Sequence, residues 1–230
     1  MVVLAAAVAL ASCGGSDDRP IALIASSLRH ALDGARSDVR TSFASSSAIA
    51  AQIRQGADAD VVIVADPAIL TDLGPGLVGP AKLIARNAVA VLVPLGNPLG
   101  IRTLADLATP GRRVVVAAPR VPLGAYTRTV LASAHANAVR RNVVSEEPDA
   151  AGVVGKVVQG EVDAGIGYAS DLAGGRVAGF VLPADVQVDV RYDAAVVTGS
   201  RRAAAAAEYV DWLVGGEGQA ALGAAGFAAP

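Results

Sequence analysis

Ile21-Ala22-Leu23-Ile24-Ala25-Ser26-Ser27-Leu28 is an unbroken apolar run that stops at two serines. Consecutive apolar residues, rather than an alternation, suit a strand covered on both faces. Serines directly after it suit a helix start, because a serine oxygen can accept an N–H that the first turn leaves unpaired. Leu28, Ala31, Leu32 and Ala35 then fall on one helical face. Similar apolar runs recur at Val61–Ala65, Val89–Pro94, Val114–Ala118, Ala164–Ala169 and Ala194–Thr198. Helix-period segments lie between most of them, at Ile49–Ile53, Tyr126–Ala134, Val153–Val158 and Tyr209–Leu213, the last ended by Gly215-Gly216. Strand–helix alternation predicts an α/β chain with mostly parallel sheets.

Three further junctions repeat the first one. Ser45-Ser46-Ser47 precedes the Ile49 helix, Val121-Pro122-Leu123-Gly124 precedes the Tyr126 helix, and Pro148-Asp149-Ala150 precedes the Val153 helix. Any one of them is explained by helix capping. Four together suggest more, since ligands of open α/β sheets bind at the carboxyl ends of strands. Helix starts there offer unpaired N–H groups and partial positive charge to an anion. No basic cluster falls within the four junctions. Neutral donors alone favour a fully deprotonated anion. A protonated one would face donors with its own O–H, at a cost of about 1–3 kcal/mol.

Composition narrows the alternatives. The 230 residues are 53% hydrophobic, too apolar for a disordered chain, and long enough for one large domain or two lobes. A net charge of −2 leaves no positive field for nucleic acid. One Cys and two His, His30 and His135, exclude an intrachain disulfide and leave little for a metal cluster. Gly74–Gly79 matches a dinucleotide fingerprint by letters, but no strand precedes it and Pro75 and Pro80 mark a turn. Ser46 has no general base near it in sequence, so a serine hydrolase is the weaker reading and no enzyme is expected. Asp58, Asp60 and Asp66 read as turn and cap residues, and Arg201 and Arg202 as a solvated face.

Residues 1–12, MVVLAAAVALAS, suit the apolar part of a signal peptide and are too short to span a bilayer, which takes about 20 residues. Leu10-Ala11-Ser12-Cys13 with the Gly14-Gly15-Ser16 that follows resembles the bacterial lipobox. That predicts lipidation at Cys13, a tether over 13–20, and export to the outer face of the cytoplasmic membrane.

Ser42-Phe43-Ala44-Ser45-Ser46-Ser47, the stretch Ala51–Val61, Ile24–Leu28, Val121–Tyr126 and Gly160–Asp171 together resemble the bacterial molybdate-binding proteins of ABC importers, in family order. The resemblance implies a type II periplasmic-binding-protein fold, with two α/β lobes, two crossovers and an oxyanion in the cleft. The expected division is 20–86 plus 193–230 for lobe 1 and 87–192 for lobe 2, with crossovers near Arg86–Val89 and Tyr192–Ala194. It implies Ser27 and Ser46 as lobe 1 ligands. Lobe 2 would add backbone N–H groups at Leu123 and Ala150 and the Tyr168 hydroxyl. The ligand would be molybdate or tungstate, with the metal entering as the oxyanion rather than a bare cation, and no cofactor. The partners would be an importer permease and its ATPase, with the binding protein a monomer. Another oxyanion such as sulfate, or a sensing role, fits the same residues.

Overall fold

The computed structural model describes residues 17–230. The signal-peptide and Cys13 expectations lie outside them. In chain order the elements are β1 (Ile21–Ala25), a 3-10 turn at Ser26–Leu28 running into α1 (Arg29–Leu32), β2 (Arg40–Ala44), α2 (Ser46–Arg54), β3 (Val61–Val64), α3 (Pro67–Leu73) and β4 (Lys82–Asn87). The chain continues with β5 (Val89–Val93), β6 (Val114–Ala117), α4 (Pro122–Ser133), β7 (Val143–Glu147), α5 (Ala150–Val158), β8 (Ala164–Tyr168), α6 (Ala169–Ala173) and β9 (Ala178–Val181). It closes with β10 (Val190–Val196), α7 (Ala203–Val214) and α8 (Gly216–Ala224).

The strands form two five-stranded sheets, ordered β2-β1-β3-β10-β4 and β7-β6-β8-β5-β9. Each is mixed. In the first, β1 pairs in parallel with β2 and β3, while β10 runs antiparallel between β3 and β4. In the second, β6 pairs in parallel with β7 and β8, while β5 runs antiparallel between β8 and β9. One strand per sheet is therefore reversed against the other four. Both reversed strands, β5 and β10, are the first their sheet receives after the chain crosses from the other.

Both faces of the first sheet are covered, which explains the unbroken apolar runs. Ala22, Ile24, Val61 and Ile63 join a core that continues into the second sheet. Their neighbours Leu23, Val62 and Val64 face the other way, onto Ile49, Ile53, Leu70 and Leu73 of α2 and α3.

Ala88 alone separates β4 from β5, so the first crossover is one residue long. The second lies between Val181 and Val190, ahead of the expected Tyr192–Ala194. Val190 to Ala194 are hydrogen-bonded along β4, and Val190 and Tyr192 are fully buried, so they belong to the first sheet. The polar Asp185, Gln187 and Asp189 occupy the passage instead.

Two other expectations need correction. Gly215 does end α7, but α8 starts at the next residue. Gly218 lets α8 lie against α7, because a Cβ there would stand 2.2 Å from the Trp212 carbonyl oxygen. Arg202 is not solvated: its Nε donates to Asp60 Oδ2 at 3.1 Å. Asp60 is 1% exposed and also accepts the Ile21 N–H and the Ser200 hydroxyl, tying the start of β1 to the chain that follows β10. Asp66 caps α3 through the Ala68 N–H.

Candidate functional site

All four serine- or proline-marked junctions sit at carboxyl ends of strands, and the topology brings them together. β1 and β2 are adjacent, so Ser26-Ser27 and Ser45-Ser46 emerge side by side. β7, β6 and β8 are adjacent in the facing sheet, so Asp149-Ala150, Val121–Leu123 and Tyr168 emerge together. These segments, with Ala65 from the end of β3, line one cavity of about 20 Å³ between the sheets. A single water needs about 10–15 Å³ measured this way, so the lobes close this space down to little more than one small solute. Neither Lys nor Arg lines it among the described residues.

The donors are oriented by local chemistry. Ser45 caps α2, its Oγ accepting the Ala48 N–H at 3.3 Å. Ser46, at the first helical position, is 2% exposed, and its Oγ accepts the Ala65 N–H at 3.0 Å. With that lone pair occupied, the Ser46 proton is left to donate. Ser27 is 5% exposed, and its Oγ lies 3.0 Å from the Tyr192 hydroxyl.

In the facing lobe, Pro122 opens α4 and has no N–H, so Leu123 and Gly124 carry its first free donors. The Leu123 side chain is buried, so it serves packing and leaves the backbone donor to the cavity. Asp149 caps α5 with its Oδ1 on the Gly152 N–H at 2.8 Å. The Ala150 and Ala151 donors remain outside that cap. Asp149, the one acidic side chain lining the cavity among the described residues, is thus already engaged with its own helix.

Tyr168 ends β8 and is 1% exposed. Burial pushes its phenol well above the ordinary tyrosine range, so it remains a donor. Its own N–H donates to Asp171 Oδ2 at 2.8 Å. Asp171 therefore caps α6 and does not line the cavity. Burial raises that carboxyl to about 6 despite the bond from the Tyr168 N–H.

The two lobes also touch directly. The Tyr126 hydroxyl donates to the Ala65 carbonyl at 2.9 Å, and the Ser47 hydroxyl donates to the Arg120 carbonyl at 2.7 Å. Sequence reasoning missed Ala65, Tyr126 and Tyr192, whose contacts with Ser46, Ala65 and Ser27 span 19, 61 and 165 residues. His30 is structural: its Nε2 meets the Ala225 carbonyl and its ring stacks on Phe227. A larger groove of about 360 Å³, edged by Arg128, Arg140 and Glu146, is built from the second lobe alone and has no facing jaw.

The family of bacterial extracellular solute-binding proteins matches residues 20–228. The molybdate-binding protein ModA of Mycobacterium tuberculosis is 36% identical over 197 residues, covering 84% of this chain and 74% of that protein. The chain belongs to the ModA family. A more distant member, ModA of Escherichia coli, is 30% identical over 189 residues, covering 77% of this chain and 73% of its own. The solved periplasmic molybdate-binding protein of Azotobacter vinelandii has the same fold, with a TM-score of 0.82 at 20% identity over 92% of this chain and 99% of that one. The two lobes are those of a type II periplasmic-binding protein, and the family is one of solute binders rather than enzymes. The serine-hydrolase alternative falls with that.

Proposed function

We propose that this ModA-family protein captures molybdate, and tungstate with it, outside the cytoplasm and delivers it to an ABC importer. The reading is carried by the small cavity whose polar lining is almost entirely neutral donors from both lobes. Two serine hydroxyls, the backbone donors near Leu123 and Ala150, and the Tyr168 hydroxyl act on a fully deprotonated tetrahedral anion. Charge-assisted hydrogen bonds are each worth about 1.5–3 kcal/mol net. A few suffice for micromolar binding, about −8 kcal/mol, after ordering and dehydration are subtracted. Because each lobe contributes, the anion prefers the closed arrangement and shifts the population towards it. A permease then recognises the closed form, and no chemical step occurs.

Calorimetric titration with molybdate, tungstate, sulfate and phosphate tests this. Molybdate and tungstate should saturate at micromolar concentration or below, with phosphate far weaker. A clear preference for sulfate would replace the molybdate reading by a sulfate one. Tyr168→Phe should weaken molybdate binding about tenfold, the lower end of the value of one hydrogen bond to a charged acceptor. An unchanged affinity would make Tyr168 a core aromatic only.

Anchoring through a lipid on Cys13 is part of the same proposal. Cys13→Ser should shift the protein from the membrane fraction to the soluble fraction of cells. Continued membrane association would remove the anchor.

A further inference from the structure

Ser27 reaches the cavity at the end of a chain of hydrogen bonds that is part-buried at Asn87 and buried at Tyr192. Asn87 is the last residue of β4, next to the one-residue crossover. Its Oδ1 accepts two backbone N–H groups, Ala88 at 2.9 Å and Ser170 at 3.3 Å. Those donors fix which way the amide points, so its NH2 faces the other partners. It donates to Ser170 Oγ at 2.9 Å and, as its long contact, to the Tyr192 hydroxyl at 3.5 Å. Tyr192 is fully buried, between Tyr168 at 6.2 Å and Phe227 at 5.2 Å between ring centroids. With Asn87 donating to it, its O–H is directed to Ser27 Oγ, 3.0 Å away. Ser27 then accepts from Tyr192 and has its own proton left for the cavity. Ser46 is in the same condition through the Ala65 N–H. Burial holds the Tyr192 phenol far above its ordinary range, so this donor does not titrate away.

We propose that Tyr192, set by Asn87, is a specificity-determining positioning residue that holds Ser27 as a donor and so excludes protonated oxyanions. This rests on the oxyanion-binding reading and deepens it. A free serine hydroxyl can turn its proton away and accept the O–H of a protonated anion; one that accepts from Tyr192 keeps its proton on the cavity side and meets that O–H with a donor. Inorganic phosphate, which keeps a proton except in strong base, is then refused, while molybdate, tungstate and sulfate are accepted. Tyr192 does not line the cavity and acts only through Ser27.

The test titrates molybdate and inorganic phosphate at neutral pH into the full-length protein, Tyr192→Phe, Ser27→Ala and the double variant. Tyr192→Phe keeps the ring and its packing. It should narrow the molybdate-to-phosphate affinity ratio about tenfold, the value of one such hydrogen bond. In the Ser27→Ala background the same change should narrow it no further, which a general loosening of the core would not reproduce. Asn87→Asp is a second variant should Tyr192→Phe not fold. Its carboxylate offers only acceptors, draws the Tyr192 O–H away from Ser27, and should narrow the ratio in the same direction. An unmoved ratio in a folded variant that still binds molybdate overturns the inference and leaves the function standing. Equal narrowing with and without Ser27 also overturns it. Absence of molybdate, tungstate and sulfate binding in the unaltered protein removes the oxyanion reading itself, and the inference with it.

Discussion

Ser46→Ala is expected to weaken molybdate binding by about tenfold to a hundredfold and to lower stability at the same time. The binding loss is that of one hydrogen bond to a charged acceptor, about 1.5–3 kcal/mol. The stability loss has a separate origin. Ser46 Oγ accepts the Ala65 N–H in a region closed to solvent, and alanine leaves that donor unpaired. An orphaned buried donor costs about 1–3 kcal/mol. Calorimetry on the folded variant reads the first effect and urea denaturation without ligand reads the second. Full molybdate affinity in the variant would take Ser46 out of the site, and unchanged stability would mean that water replaces the lost acceptor.

The stability consequence comes from a bond across 19 residues that the sequence does not announce. The serine is legible because it opens a helix after a strand. Its acceptor duty is not, because Ala65 has no side-chain chemistry to mark it. Tyr192 is a stronger case. It stands 165 residues from Ser27, within a run of strand residues, and nothing in its neighbourhood separates it from a core aromatic. Only the pairing of β10 beside β3 and β4 carries it to the back of the site.

The strands divide along a physical line. The six that read as apolar runs, β1, β3, β5, β6, β8 and β10, are the interior strands of the two sheets. The four that did not, β2, β4, β7 and β9, are the four edges. An edge strand has one neighbour and solvent beside it, and charges there guard against pairing with other chains. Arg40 in β2, Lys82 and Arg86 in β4, and Glu146 and Glu147 in β7 break the apolar pattern for that reason. β9 is uncharged, but only half of its residues are even partly covered. The second crossover was misplaced by the same kind of ambiguity. Arg191 and Asp193 interrupt β10 and resemble a boundary, whereas they pair with each other at 3.4 Å inside a continuous strand. The helix starts, in contrast, announce themselves locally, because a cap must lie within a few residues of the N–H it satisfies. That is why the candidate site was more legible than the sheet edges.

Gly124→Ala should be the most damaging single methyl in the second lobe's half of the site. Gly124 is the third residue of α4, directly after the Leu123 donor. A Cβ there would stand 2.0 Å from the Ala118 carbonyl oxygen and 2.6 Å from that of Ala117. These are backbone atoms at the end of β6, so no side-chain rotation relieves the overlap. Either the start of α4 moves away or the β6 end does. In both cases the bond between the Val121 N–H and the Ala118 carbonyl is lost, and Leu123 swings out of the cavity. The cost should reach about 3 kcal/mol or more, in the class of severe overpacking. Molybdate affinity should fall at least about tenfold through the displaced donor. Gly155 in α5 supplies the contrast, since a Cβ there meets nothing within 4 Å. Gly155→Ala should instead stabilise by about 0.5–1 kcal/mol, the ordinary helix preference for alanine, with binding untouched. Denaturation and calorimetry on the pair separate the two effects. If Gly124→Ala proved as mild as Gly155→Ala, α4 would not be held against the end of β6, and its donors would have no fixed aim at the cavity.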